Sequence, residues 1–369
     1  MRGRQGALLL ICACICIAAP ALAVRTLTWT QPPEELVEGE LDGVAATERG
    51  RLFLAPRLSR LGESIEPGNP VHLWALASDS TGNVYLGSGP DGQVYKVSPT
   101  GRRSLFFDTK EAMVTALVFA EDGALLAGTS PGGRIYRIDP SGKGELFSET
   151  EQRYIWALAI DAAGTLYAGT GEPGAIYQIS DQGRARLFFA SSEAHIVTLL
   201  FRPGGGLLAG GAGRGLLYEI DDEGNGIVLY DDGLPEVSGI VIEADGSLLA
   251  TLLAPPPRRE RQKLVRIRMA DEQQIESDNE SVTDLSRPPR SNLSGIIEGL
   301  PEPKEQSSTQ TRGLLVRIEP DGRSRILWRS SEESPFSLAR DRSGQVHFCT
   351  GEPAKLYRLE RQGDIALLF

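Results

Sequence analysis

Cysteine is scarce in this sequence: there are four, and Cys12, Cys14 and Cys16 crowd together near the start, leaving only Cys349 in the body of the chain. That body can hold no internal disulfide, and at 369 residues it is long enough to bury a core that needs none. Histidine occurs three times, at His72, His195 and His347. Lysine and arginine number 38 against 49 aspartates and glutamates, giving a net charge of -11. With no basic stripe to neutralise phosphates, nucleic acid is excluded as the main partner. Aromatic residues make up 7%, and no apolar run reaches the roughly 20 residues a transmembrane helix needs. A Gly-Lys-Ser/Thr phosphate loop, a His-Glu-x-x-His helix and an EF-hand loop are all missing. What the chain has in quantity is glycine, 42 residues, and proline, 23, the composition of many short strands joined by tight turns.

The first 23 residues form their own unit. Arg2 and Arg4 precede an apolar stretch from Ala7 to Ala19, followed by Pro20 and the small-residue ending Ala21-Leu22-Ala23. This is the pattern of a secretory signal peptide cleaved before Val24, and it predicts an exported protein, periplasmic or extracellular. A second reading makes Ile11-Cys12-Ala13-Cys14 a lipobox with Cys14 acylated. Residues 24–42 form an N-terminal segment before the repeats begin.

Self-similarity sets the fold. Gly82, Gly123, Gly164, Gly205 and Gly246 are each 41 residues apart, and each is followed by a short apolar stretch. A second glycine column, Gly101, Gly142, Gly183 and Gly224, and a tyrosine column, Tyr95, Tyr136, Tyr177 and Tyr218, keep the same step. The register resumes at Gly322, Gly344, Tyr357 and Gly363 if 57 additional residues are inserted after Thr251. Within one period the pattern predicts strands over 73–78, 84–87, 93–97 and 104–107, separated by glycine turns. Four short strands per period make one blade of a propeller. Residues 43–56 look like a first, incomplete blade, and Thr26 to Thr30 offers an outer strand to either the first or the last. Seven residues before each reference glycine stand Gly43, Ala75, Ala116, Ala157, Thr198, Gly239 and Ser337, all small, as crowding around a central axis requires. The expected fold is therefore all-β, a single seven-bladed β-propeller of four-stranded blades over residues 43–369.

Asp122-Gly-Ala-Leu-Leu-Ala-Gly-Thr and Gly133-Arg-Ile-Tyr-Arg-Ile-Asp-Pro-Ser-Gly resemble the repeats of exported bacterial propellers of the broad WD-repeat-like, NHL-like and streptogramin-lyase-like group. The Trp-Asp and Gly-His dipeptides of true WD repeats are absent. The resemblance implies architecture, in a group that spans binding proteins, scaffolds and some enzymes.

Ten residues before each reference glycine come His72, Met113, Tyr154, His195, Glu236 and Ser334, which should line the mouth of the central channel. His72, Tyr154, His195 and Glu236 are the candidate ligand-binding residues. The resemblance also implies an alternative, since streptogramin-lyase-like enzymes use histidine with a metal-bound carboxylate in such a place. That alternative is a metal-assisted lyase or lactonase on His72, His195 and Glu236, although His72 and His195 should lie nearly across the channel. Trp74 and Trp156 share a further column, readable as an aromatic platform or as packing between blades. His347 reads as a packed or edge residue of a second strand. Gly171-Glu172-Pro173-Gly174 and Gly351-Glu352-Pro353-Ala354 read as turn formers.

The insertion, 252–312, falls between the second and third strands of the sixth expected blade. Three prolines, a basic patch including Arg258, Arg259 and Arg261, then an acidic stretch give it the composition of a mostly disordered segment. The expected function is that of a binding or scaffolding module without a catalytic role, metal or cofactor. It would meet a protein or glycan partner on the loop face and through the inserted arm, or serve as part of an envelope assembly.

Overall fold

The computed structural model describes residues 43–47, 49–56, 72–254, 311–351, 354–360 and 363–369. Residues 1–23, read from the sequence as a signal peptide, the segment 24–42 and nearly all of the insertion, with its basic patch, lie outside the described residues. All regular secondary structure among the described residues is strand. A hairpin opens the fold, β1 (Val44–Thr47) and β2 (Leu52–Leu54). Six four-stranded blades follow, each running from an inner to an outer strand. The first blade holds β3 (His72–Ser78), β4 (Val84–Gly89), β5 (Gln93–Val97) and β6 (Arg103–Asp108). The second holds β7 (Met113–Phe119), β8 (Leu125–Ser130), β9 (Arg134–Ile138) and β10 (Gly144–Glu149). The third holds β11 (Tyr154–Ile160), β12 (Leu166–Gly171), β13 (Ala175–Ile179) and β14 (Ala185–Ala190). The fourth holds β15 (His195–Phe201), β16 (Leu207–Ala212), β17 (Leu217–Ile220) and β18 (Gly226–Tyr230). The fifth holds β19 (Glu236–Ile242), β20 (Leu248–Leu253), β21 (Gly313–Ile318) and β22 (Ser324–Ser330). The sixth holds β23 (Pro335–Arg340), β24 (Val346–Thr350), β25 (Leu356–Leu359) and β26 (Ile365–Leu367).

Blade packing rests on a knob and a notch. The second residue of four successive inner strands, Val114, Ile155, Ile196 and Val237, is fully buried. Each knob lies against a glycine in the second strand of the preceding blade: Gly87, Gly128, Gly169 and Gly210. A β-carbon on Gly128 would stand 2.5 Å from Ile155 Cγ2, and one on Gly87 2.7 Å from the Val114 carbonyl oxygen. The apolar stretch after each reference glycine supplies the wall around the knob, as Leu125 and Ala127, together with Ile138 of β9, do for Val114. Immediately after each knob the ladder slips by one residue, between Leu73 and Ala75, Val114 and Ala116, Ile155 and Ala157, Ile196 and Thr198, Val237 and Gly239, and Pro335 and Ser337. Trp74, Thr115, Trp156, Val197, Ser238 and Phe336 are thus unpaired bulge residues, whose side chains the bulge re-aims. Ser238 uses this to reach the next blade, its Oγ donating to the Pro335 carbonyl at 2.6 Å.

Two expectations change. The strands at 43–56 do not open a blade of their own: β1 pairs with β26 as well as β2, Ala46 opposite Leu367 and Thr47 opposite Ala366. The described residues therefore contain six four-stranded blades rather than seven, the last widened by this hairpin into a six-stranded sheet. The physical reason is the outer edge of β26, whose unpaired backbone groups the hairpin satisfies while burying Ala45 against Ala366. Thr26 to Thr30, foreseen as an outer strand of the first or last blade, lies outside the described residues. The insertion also begins later than expected, because Leu252 and Leu253 remain in β20 and the Ala254 amide still bonds the Arg312 carbonyl at 2.9 Å.

The turn between first and second strands is held by an aspartate. Asp79 accepts from the backbone amides of Thr81 and Asn83 at 2.9 Å each, and from the Asn83 side chain at 2.7 Å, while Gly82 takes φ 87°. The same arrangement recurs at Asp161 and Asp341, and at Asp139 and Asp221 in the turns before outer strands. Partial burial opposes ionisation of Asp79, but the bonds from Asn83 and Thr81 outweigh it and lower the carboxyl from 3.8 to about 2. A lowered carboxyl contributes stability that is complete above the unfolded value, 3.8, and is lost as pH falls through about 2. Between pH 5 and 2 the protein should lose thermal stability that an Asp79→Asn variant does not lose, so the two melting curves should converge in acid. Parallel acid profiles would remove Asp79 from the stability of the turn.

Candidate functional site

The rim of the inner strands carries the column singled out in the sequence. His72, Met113, Tyr154, His195 and Glu236 each open an inner strand, and Ser334 immediately precedes β23. The structure gathers only part of this set. Tyr154 and His195 meet at the junction of the third and fourth blades, ring centroids 6.0 Å apart and nearly perpendicular. Trp156, re-aimed by the bulge, completes the group: it stacks on Tyr154 at 5.2 Å and 17°, and meets His195 edge-on at 5.7 Å. Its indole N–H donates to His195 Nδ1 at 3.1 Å. With Nδ1 accepting, the neutral imidazole carries its proton on Nε2.

Gly171 makes room for this cluster. A β-carbon there would lie 2.1 Å from His195 Nδ1 and 2.6 Å from Trp156 Nε1. Read from sequence as a turn former, Gly171 is instead the last residue of β12, paired to both Tyr154 and His195, and its missing side chain is where the indole lies. The same relation holds at Gly89 under Trp74 and Gly351 under Phe336. Where the bulge residue is Thr115, Val197 or Ser238, the matching position holds Ser130, Ala212 or Leu253. Beside the cluster, the Arg153 guanidinium lies over the Tyr154 ring at 5.1 Å and reaches the Glu172 carboxylate at 3.4 Å. Glu172 sits in the left-handed region at φ 60°, a conformation costly for a side-chain-bearing residue and concentrated at functional sites.

Glu236 is separated from His195 by one strand: both pair with Ala212, from opposite sides. Burial pushes the Glu236 carboxyl up. His72 stands apart, its ring 6.2 Å from Trp74, and no contact links it to His195 or Glu236 among the described residues. Nor, among those residues, do three His, Cys, Asp or Glu side chains stand close enough to hold one metal ion. His347 lies in β24, partly buried, opposite Ala339 and Arg358.

Gly128-Thr129-Ser130-Pro131-Gly132 matches the Gly-x-Ser-x-Gly spelling of a nucleophile elbow. Ser130 is fully buried at the end of β8, 3.1 Å from the Thr115 hydroxyl, and leads into a strand rather than a helix, so the exposed turn that chemistry needs is not formed. On the opposite face, grooves lie between blades. The one between the second and third encloses about 690 Å³, with Arg137, Phe147 and Asp181 in its lining, and its Arg137 is already paired to Asp122.

Among solved structures, the fold is similar to that of a catalytically inactive histidine-to-alanine variant of virginiamycin B lyase from Staphylococcus aureus with quinupristin. The match has a TM-score of 0.60 at 12% identity and covers 82% of this chain and 85% of that one. Selenomethionine-substituted virginiamycin B lyase from the same organism matches with a TM-score of 0.57 at 12% identity, over 79% and 82% of the two chains. No family model matches the sequence, and no curated protein matches it. At this identity the likeness shows the fold alone: the chain is a β-propeller.

Proposed function

We propose that this chain is an exported, non-catalytic binding module that meets a glycan or protein partner on the rim where its inner strands begin. The observation that carries this reading is the Tyr154–Trp156–His195 cluster, with aromatic faces and polar groups converging at a rim position cleared by Gly171. Pockets that recognise ligands combine such apolar faces with a few oriented polar groups. Arg153 and Glu172 supply a donor and an acceptor at the border of the cluster. The signal-like leader supports a periplasmic or extracellular setting, in which the inserted arm would be a second contact for an envelope partner.

The test is a titration with a panel of soluble oligosaccharides followed by tryptophan fluorescence. At least one should give saturable quenching, and Trp156→Ala should weaken that binding about tenfold, the loss of roughly 1.4 kcal/mol. A panel that leaves the fluorescence unchanged would remove the glycan half of the proposal.

The likeness to virginiamycin B lyase favours a second reading, a metal-assisted lyase or lactonase drawing on His72, His195 and Glu236. It requires turnover of a cyclic ester that a chelator abolishes and that His195→Ala loses.

A further inference from the structure

On the face opposite the rim, the grooves between blades repeat with the same step of 41, and alternate grooves carry the same three rings. Between the first and second blades Tyr85 meets Phe106 at 5.0 Å and Phe119 at 5.2 Å, both edge to face. Between the third and fourth, two periods on, Tyr167 meets Phe188 at 5.1 Å and Phe201 at 5.0 Å in the same manner. The groove between these two has Leu126, Phe147 and Ile160 in the corresponding places. Each aromatic cavity also has three carboxylates in its lining: Asp79, Glu121 and Asp139 in the first, Asp161, Asp221 and Asp222 in the second.

The first of these cavities already holds a cation. Lys96 Nζ lies 5.3 Å from the Tyr85 centroid and 5.7 Å from that of Phe106, within the range at which a ring quadrupole attracts an ammonium group. The second blade repeats this with one ring, the Arg137 guanidinium lying 5.9 Å from Phe147. In the third blade the same position is Gln178, whose side-chain amide donates to the Tyr167 hydroxyl at 2.7 Å. Among the described residues no lysine or arginine lies over Tyr167, Phe188 or Phe201. The two nearby cations are engaged elsewhere, Arg202 with Glu219 at 2.6 Å and Arg186 with the Gln178 side-chain oxygen. The carboxylates thus equal those of the first cavity in number, while the ammonium group is gone. Space replaces it. The hairpin tip at Gly204, Gly205 and Gly206 puts no side chain into the cavity, which encloses about 620 Å³ against about 440 Å³ for the one that Lys96 enters.

We propose that the cavity between the third and fourth blades binds a small aliphatic amine, its ammonium group held over Tyr167 and Phe188 as Lys96 is held over Tyr85 and Phe106. The ring faces attract the charge and the methylenes together, a combination that neither a metal ion nor a neutral alcohol satisfies. Asp161, Asp221 and Asp222 set a negative potential at the entrance, which draws cations in and turns carboxylate ligands away. The site stands on the opposite face from Trp156 and His195, so it is independent of the glycan reading of the rim.

The probe is n-butylammonium, the lysine side chain detached from its backbone, with n-butanol as its neutral counterpart. Each is titrated into the full chain at fixed ionic strength while the broadening of its own methylene resonances is followed by NMR. Butylammonium should saturate, and butanol should bind at least about tenfold more weakly. Gln178→Lys restores the residue of the first blade, fills the cavity from within, and should weaken butylammonium binding by about tenfold or more. Asp222→Asn, an exposed change that leaves the rings in place, should weaken it several-fold. Absence of saturable butylammonium binding, equal binding of butanol, or butylammonium binding that survives Gln178→Lys unchanged would each overturn the proposal.

Discussion

Gly128→Val is expected to destabilise the protein by about 3 kcal/mol, lowering the melting temperature on the order of 10 °C. The cause is steric: the first added carbon would stand 2.5 Å from Ile155 Cγ2 and 3.1 Å from Ile155 Cβ, both belonging to a fully buried side chain on the next blade's inner strand. That strand is tied into a four-stranded blade and cannot retreat without disturbing its own ladder. Trimming the knob should restore part of the loss, so Gly128→Val with Ile155→Ala should be less damaging than the sum of the two single changes. Thermal unfolding of the three variants decides the matter. Strict additivity would mean that the second and third blades do not pack knob on notch.

The second large effect should come from Glu193→Ala, which we expect to destabilise by roughly 3 kcal/mol. Glu193 is buried and accepts three backbone amides of the loop after β16, from Arg214 at 2.7 Å, Gly215 at 3.3 Å and Leu216 at 3.2 Å. Its side chain lies across Gly211, where a β-carbon would be 2.2 Å from its Cγ. Removing it leaves those donors without acceptors where water enters poorly, and the cost falls on the unmade bonds rather than on a lost charge. Glu193→Gln keeps one acceptor oxygen and should lie between. Hydrogen exchange of the 214–216 amides gives the local reading: rapid exchange in the alanine variant is expected, and unchanged protection would refute the clamp. Because Glu193 stands two residues before His195, the glycan binding proposed for the rim should weaken alongside.

Most of the blade architecture was legible because it repeats. The step of 41 placed Gly82, Gly123 and Gly164 in equivalent turns, and the strand expected over 93–97 is β5 to the residue. Those over 73–78, 84–87 and 104–107 fall inside β3, β4 and β6. Such agreement follows from chemistry that is local, an apolar stretch bounded by residues that turn. The position of residues 43–56 was not local: Ala46 lies on β26 because of an edge created by residues hundreds of positions away. The rim column was legible by the same step, and it correctly placed Tyr154, His195 and Glu236 at the starts of inner strands. Trp156 was harder to read, because one slipped register after Ile155 breaks the alternation that assigns a side chain to a face. A signal was nonetheless present. Trp74, Trp156 and Phe336 each accompany a glycine at the end of the second strand, and Thr115, Val197 and Ser238 do not.

The hairpin on β26 also fixes an order of assembly. During synthesis β1 is made more than three hundred residues before Leu367 and Ala366, the partners of Ala46 and Thr47. Four complete blades can form from neighbouring sequence, and a fifth across the insertion, while that early hairpin waits with one edge unpaired. Joining sequence-distant strands is the slow kind of step in folding, since the closure entropy must be met before the contact forms. The sixth blade should accordingly be the last to gain hydrogen-exchange protection on refolding, making the earliest of the described strands a component of the youngest structure.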